Sequence, residues 1–155
     1  MQTITPFLWF DDNAEEAMNF YVATFPNSKL GEISRYGEGG PGPAGTVMSG
    51  SFELDGQRFM ALNGGPMYKF TEAISLFVPC ETQAEIDHLW ETLSEGGEKS
   101  QCGWLKDKFG LSWQIVPTVL GEILGDSDPA KAKRAMDAML QMTKLDIAAL
   151  QEARG

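Results

Sequence analysis

The order of periodicities along the chain constrains its fold more than any single motif. Twice a β-prone segment leads into apolar residues at helical spacing, and twice that stretch is followed by short strand-like runs broken at glycine turns. In the first copy, residues 2–10 (QTITPFLWF) suit a strand, with Pro6 placing it at an edge or a strand start. Asp11, Asp12 and Asn13 offer N-caps, and Ala14, Ala17, Met18, Tyr21, Val22 and Phe25 form the stripe of a helix that stops at Pro26. Strands are predicted over about 28–36, 46–54 and 58–62, with Asp55-Gly56 as a two-residue hairpin turn.

The second copy begins with a strand over 73–80 (AISLFVPC) that reads as buried. Thr82 with Glu85 has capping-box spacing, and Ile86, Leu89, Trp90 and Leu93 form the apolar face of a helix ending at Gly96-Gly97. Strands are then predicted near 99–104, 104–108 and 111–116, with Asp107 and Lys108 shaping a turn. The chain is therefore expected to be an α+β domain of two βαβββ modules, at about 2–63 and 72–117. A helical tail over about 118–155 follows. Asp128-Pro129 starts one tail helix, and Met136, Met139 and Leu140 stripe it. Leu145, Ala148, Ala149 and Leu150 form another stripe. The tail is expected either to cover the domain as a lid or to form half of a dimer contact.

Composition narrows the partners. The 155 residues carry a formal net charge of −10, which disfavours both nucleic acid and anionic membrane surfaces, since these need basic patches. The N-terminus lacks a basic region followed by a long apolar run, so no signal peptide is expected and the cytoplasm is the default compartment. Cys80 and Cys102 are expected as free thiols rather than a disulfide. Residues 37–45 (GEGGPGPAG) form a loop between two expected antiparallel strands and lead to no helix, unlike a nucleotide cradle. Residues 96–100 (GGEKS) lack phosphate-loop spacing.

The duplicated element order, the helix carrying Phe20-Tyr21 and the late strand DKFGLSWQI resemble the glyoxalase and dioxygenase (vicinal oxygen chelate) superfamily. The segment from Ile74 to Pro117, above all CGWLKDKFGLSWQIVP, is similar to its PhnB-like branch, which carries the label 3-demethylubiquinone-9 3-methyltransferase. The resemblance implies two U-shaped partial sheets that enclose a metal and substrate cleft. It places the metal-ligand positions near Pro6, near Glu72 or Ala73, at Gln114 and around Met60 to Asn63. That set supplies at most one carboxylate, whereas a divalent transition metal needs imidazole, thiolate or carboxylate donors. The single histidine, His88, lies mid-helix and reads as a surface or packing residue. No metal and no cofactor are therefore expected.

The residues expected to line the cleft are Trp9, Met60, Asn63, Trp104, Trp113 and Gln114, an aromatic pocket with a few amides that suits a small, partly apolar molecule. Core packing is the competing reading for Trp113 and Met60. For Asn63 and Gln114, a buried amide needs either protein partners or a ligand. Cys102 is expected on a cleft-edge strand, as a structural thiol or, less simply, as a nucleophile helped by Lys99 or Lys106. Three functional readings follow: a metal-free binder of a small organic ligand, a methyltransferase-type enzyme acting on a demethylubiquinone-like substrate, and a resistance protein that sequesters its ligand. A homodimer is expected, because the first strand is edge-prone and the tail is methionine-rich.

Overall fold

The computed structural model describes residues 3–155, so Gln2 of the first expected strand lies outside the described residues. The chain divides into two compact units, one running to Phe70 and one spanning Thr71–Gly155. In the first unit the elements are β1 (Phe7–Phe10), α1 (Ala14–Thr24), β2 (Lys29–Arg35), β3 (Val47–Leu54) and β4 (Gln57–Asn63). They form a four-stranded sheet in the order β1-β4-β3-β2, with β1 parallel to β4 and the other pairs antiparallel. The first strand is shorter than the sequence predicts. Regular pairing starts at Phe7, after Pro6, which has no N–H to give and keeps only its carbonyl, accepting from Met60 N at 2.9 Å.

Strand alternation puts Leu8, Phe10, Phe52, Phe59 and Ala61 on the side covered by α1, and all five are buried. The helix answers with Ala14, Ala17, Met18 and Tyr21, each fully enclosed. Tyr21 stacks over Phe52 at 6.2 Å, and Phe52 over Phe59 at 5.3 Å. Burying these side chains stabilises the unit by about 1.5–3 kcal/mol each for the large ones. Val22 and Phe25, at the edge of the predicted stripe, are only half-buried.

The second unit repeats the plan with β5 (Ser75–Cys80), α2 (Gln83–Ser94), β6 (Glu98–Lys99), β7 (Trp104–Lys106) and β8 (Ser112–Pro117), in the order β5-β8-β7-β6. Again the outer strand, β5, runs parallel to its neighbour β8. Leu105, Trp113, Ile115, Ile86, Trp90 and Leu93 make the core between sheet and helix. Two expectations are corrected. The predicted strand over 99–104 shrinks to the two residues of β6, because residues 101–103 are taken up by a turn. The segment expected to be buried, 73–80, leaves Phe77 at 58% and Ile74 at 72% exposure, since β5 is an edge strand covered by α2 on one face only.

Three helices complete this unit: α3 (Leu120–Leu124), α4 (Pro129–Leu140) and α5 (Ile147–Arg154). Asp128 and Asp146 cap the last two, accepting from Ala130 N and Ala149 N at 2.9 Å each. The tail has a small core of its own around Ile123, Ala135 and Leu150, to which Met139 and Met142 contribute, while Met136 and Leu140 face outward. Gln83 ties it to α2, donating to Leu145 O at 3.0 Å and accepting from Ile147 N at 2.8 Å. No helix among the described residues is long and apolar enough to cross a membrane.

Candidate functional site

Each sheet has one face filled by its helix, so side chains available for binding must come from the other, open face. In the second unit the register decides which these are. Trp104 of β7 sits directly opposite Gln114 of β8, and Lys106 opposite Ser112. Ser75 and Phe77 of β5 pair with Ser112 and Gln114, which brings all six side chains to one face. The Gln114 amide donates to Ser75 Oγ at 2.9 Å. A cavity of about 230 Å³ opens beside Trp104 and is bounded by Glu72, Glu98, Ser100, Lys106 and Ser112. Lys106 is salt-bridged to Glu72, which holds the Glu72 carboxyl below its ordinary range and raises Lys106.

Trp113 falls on the opposite face, against α2, and is 2% exposed. Its ring N–H donates to Asp107 Oδ2 at 2.9 Å, while Asp107 Oδ1 accepts from Phe109 N and Leu111 N. Asp107 thus organises the β7–β8 turn and anchors the buried indole, a packing role for Trp113. Cys102 is not on a strand but in the turn before β7, at φ 58°. Its amide donates to Met142 O at 2.8 Å and its thiol to Met139 O at 3.5 Å, so the tail holds it. The neighbouring Gly103, at φ 85°, leaves no room for a side chain, since a Cβ there would come within 2.7 Å of Ile115 O. Both cysteines are free thiols, and burial pushes Cys80 up to about 11, away from thiolate chemistry.

In the first unit, Trp9 and Met60 share the open face, pairing with Leu62 and Phe7 respectively. The Trp9 ring N–H donates to Gly65 O at 2.9 Å, and its ring meets Tyr68 edge-on at 4.9 Å. Asn63 points the other way. Its Oδ1 accepts from Ala14 N at 2.8 Å and its Nδ2 donates to Val47 O at 2.9 Å, so the amide joins β3, β4 and the start of α1. Asn63 also borders a cavity of about 460 Å³, together with Asp11, Asp12, Tyr36, Thr46 and the loop around Pro41–Pro43. That loop joins antiparallel strands and precedes no helix, so it does not form a nucleotide cradle.

The positions at which the resemblance puts metal ligands do not suit a transition metal. Pro6 has no donor, Glu72 is committed to Lys106 and the Gln114 amide to Ser75. No three His, Cys, Asp or Glu side chains among the described residues cluster to hold a metal ion. His88 is on the solvent side of α2. Sequence reasoning missed Ser112, whose only signal is a small polar residue at the head of a mostly apolar strand.

A family model for 3-demethylubiquinone-9 3-methyltransferase matches residues 2–116. Among solved structures, a PhnB protein from Bacillus cereus is 43% identical, with a TM-score of 0.72, over 76% of this chain and all of that one. A protein from Pseudomonas aeruginosa is 22% identical, with a TM-score of 0.64, over 76% of this chain and 98% of its own. The fold is shared with FosX, a fosfomycin resistance protein from Listeria monocytogenes solved with Mn(II) and sulfate. It is 14% identical, covers 78% of this chain and 93% of its own, and has a TM-score of 0.54. No curated protein matches the chain. With its two four-stranded mixed sheets and their helices, which FosX shares as a fold, the chain belongs to the PhnB-like 3-demethylubiquinone-9 3-methyltransferase family.

Proposed function

We propose that the protein binds a small organic molecule on the open face of β7 and β8, without a metal in the site. The observation that carries this reading is the cross-strand pair of Trp104 and Gln114, half-buried side by side on one face, with Trp104 lining the cavity. An indole gives a flat apolar platform and an amide gives orientation, the usual division of labour in small-molecule sites. Trp104 and Gln114 are therefore the contact residues kept from the sequence-derived set, with Trp9 and Met60 as the equivalent surface of the first unit. Asn63, Trp113 and Cys102 serve the fold.

Titration of tryptophan fluorescence with a panel of small phenols, in wild type and in Trp104→Phe, tests the ligand. Quenching that saturates in wild type and disappears in the variant supports the reading; a panel that leaves wild type unchanged overturns it. Dialysis against Ni, Zn, Mn and Fe followed by elemental analysis tests the metal, and one tightly held ion per chain would refute the metal-free site. The protein functions as a homodimer, a reading supported by the exposed apolar side chains Phe7, Ile74 and Phe77 on and beside the edge strands β1 and β5. Light scattering that returns a monomer mass would rule this out. The two units and the tail act as one cooperative domain, for which calorimetry should show a single transition.

A further inference from the structure

The floor of the cavity beside Trp104 contains a polar atom that the fold does not use. Ser112 Oγ is fully buried and, among the described residues, has no hydrogen-bond partner. Its neighbours are otherwise matched: Gln114 with Ser75, and Lys106 with Glu72. A buried hydroxyl without a partner destabilises the fold, and such groups are rare enough in native proteins to require an explanation. Ser112 also lies on the same open face as Trp104 and borders the same cavity.

The charges around this cavity are unequal. Glu72 and Glu98 stand against the single ammonium of Lys106, which is already paired with Glu72. A ligand anion would have to displace a carboxylate from Lys106 and lie near Glu98. A neutral or positively charged group meets no such opposition.

We infer that Ser112 is a ligand hydrogen-bonding residue, and that the cavity selects aromatic molecules bearing a hydroxyl or carbonyl group that are neutral or cationic rather than anionic. In this arrangement the ring lies on Trp104, the hydroxyl or carbonyl bonds Ser112 Oγ, and any cationic group turns toward Glu98. The inference rests on the small-molecule reading above and adds to it the residue at the floor and the sign of the charge.

Three probes of matched ring and hydroxyl separate the possibilities: tyramine (cationic), tyrosol (neutral) and 4-hydroxyphenylacetate (anionic). Trp104 fluorescence would be titrated with each in wild type, Ser112→Ala and Glu98→Gln. Tyramine is expected to bind at least about fivefold more tightly than the acid, the size of one unit-charge contact near a wet surface. Glu98→Gln should narrow that ratio. Ser112→Ala should weaken tyrosol about threefold to tenfold, the worth of one neutral hydrogen bond. The thermal midpoint of unliganded Ser112→Ala should equal or exceed that of wild type, because the change removes an unmatched hydroxyl.

A hydroxyl that served the fold would behave in the opposite way, with a lowered midpoint and unchanged affinity, and that result overturns the role of Ser112. Equal or tighter binding of the acid overturns the charge preference. If wild type binds none of the three, the small-molecule reading of this face fails as well, an outcome distinct from binding with the wrong preference.

Discussion

The two units solve the same two construction problems by different means. Each must start a helix after its first strand and must turn the chain into its last strand. In the first unit α1 is preceded by Asn13, whose own side chain makes no cap, and Ala14 N donates instead to Asn63, 49 residues further on in β4. In the second, Thr82 caps α2 from its own position, accepting from Glu85 N at 3.2 Å, while the Glu85 carboxylate reaches back to Glu81 N. The last turns differ in the reverse sense. Asp55-Gly56 closes β3 to β4 chiefly through backbone conformation, both residues having positive φ (47° and 83°) as a type I′ hairpin requires, with the exposed Ser28 hydroxyl accepting from Asp55 N at 3.2 Å. Between β7 and β8 the Asp107 carboxylate takes hydrogen bonds from two amides and an indole. Each half thus has one junction set mainly by its local sequence and one that depends on a single polar side chain at a distance or in the core. The second kind concentrates stability in one residue.

This contrast can be broken by mutation. Asp107→Ala should have the largest effect, a loss of about 3 kcal/mol or more in urea unfolding, because three donors lose their acceptor in a buried turn. A loss below about 1 kcal/mol would mean that water replaces the carboxylate and that the turn is not side-chain-held. Asn63→Ala comes next, at about 2 kcal/mol, since it leaves Ala14 N and Val47 O without their present partners. Hydrogen exchange should localise the loosening to the start of α1.

Thr82→Ala should cost about 1 kcal/mol, the ordinary worth of a local N-cap. If it costs more than Asn63→Ala, the ranking of distant over local junctions is reversed. The smallest effect concerns the tail. The Asp87 carboxyl is held below the usual range, first by the Gln83 amide and then by Lys144. A depressed carboxyl stabilises above its unfolded value and loses that contribution as pH falls through the folded one. Protection of the Ile147 amide, which donates to Gln83, should therefore decline slightly on acidification below the ordinary aspartate range. Protection that stays constant through that range would show that Gln83 holds α5 without Asp87.

The elements that could be read from the residues are the locally determined ones. The Thr82–Glu85 spacing, the Asp55-Gly56 turn, the Asp128-Pro129 helix start and the irregular loop over 37–45 all appear as the sequence predicts. The helical stripe of α2 does so too, and that of α1 as far as Tyr21, because burial follows a 3.6-residue period that needs no knowledge of the partner surface. Site residues were harder to read. Trp113 and Gln114 are adjacent in sequence, yet strand alternation sends one to the core and the other to the open face, and the register with β7 decides which. The sequence places Cys102 on a strand. The turn at positive φ depends on Met139, Met142 and Thr143, residues about 40 positions away whose arrival has no local signature.

By itself, then, the sequence determined the duplicated βαβββ order, the family and the scarcity of metal-type donors at the ligand positions, since residue identity and short-range periodicity carry all three. The tertiary structure alone decided that the Asn63 amide is a helix cap, that Trp104 and Gln114 face each other, and that Ser112 is buried with its hydroxyl unmatched. The physical reason is common to these cases. A hydrogen bond is satisfied or left open by atoms brought together through pairing and packing over long sequence separations, and composition does not encode which atoms will meet.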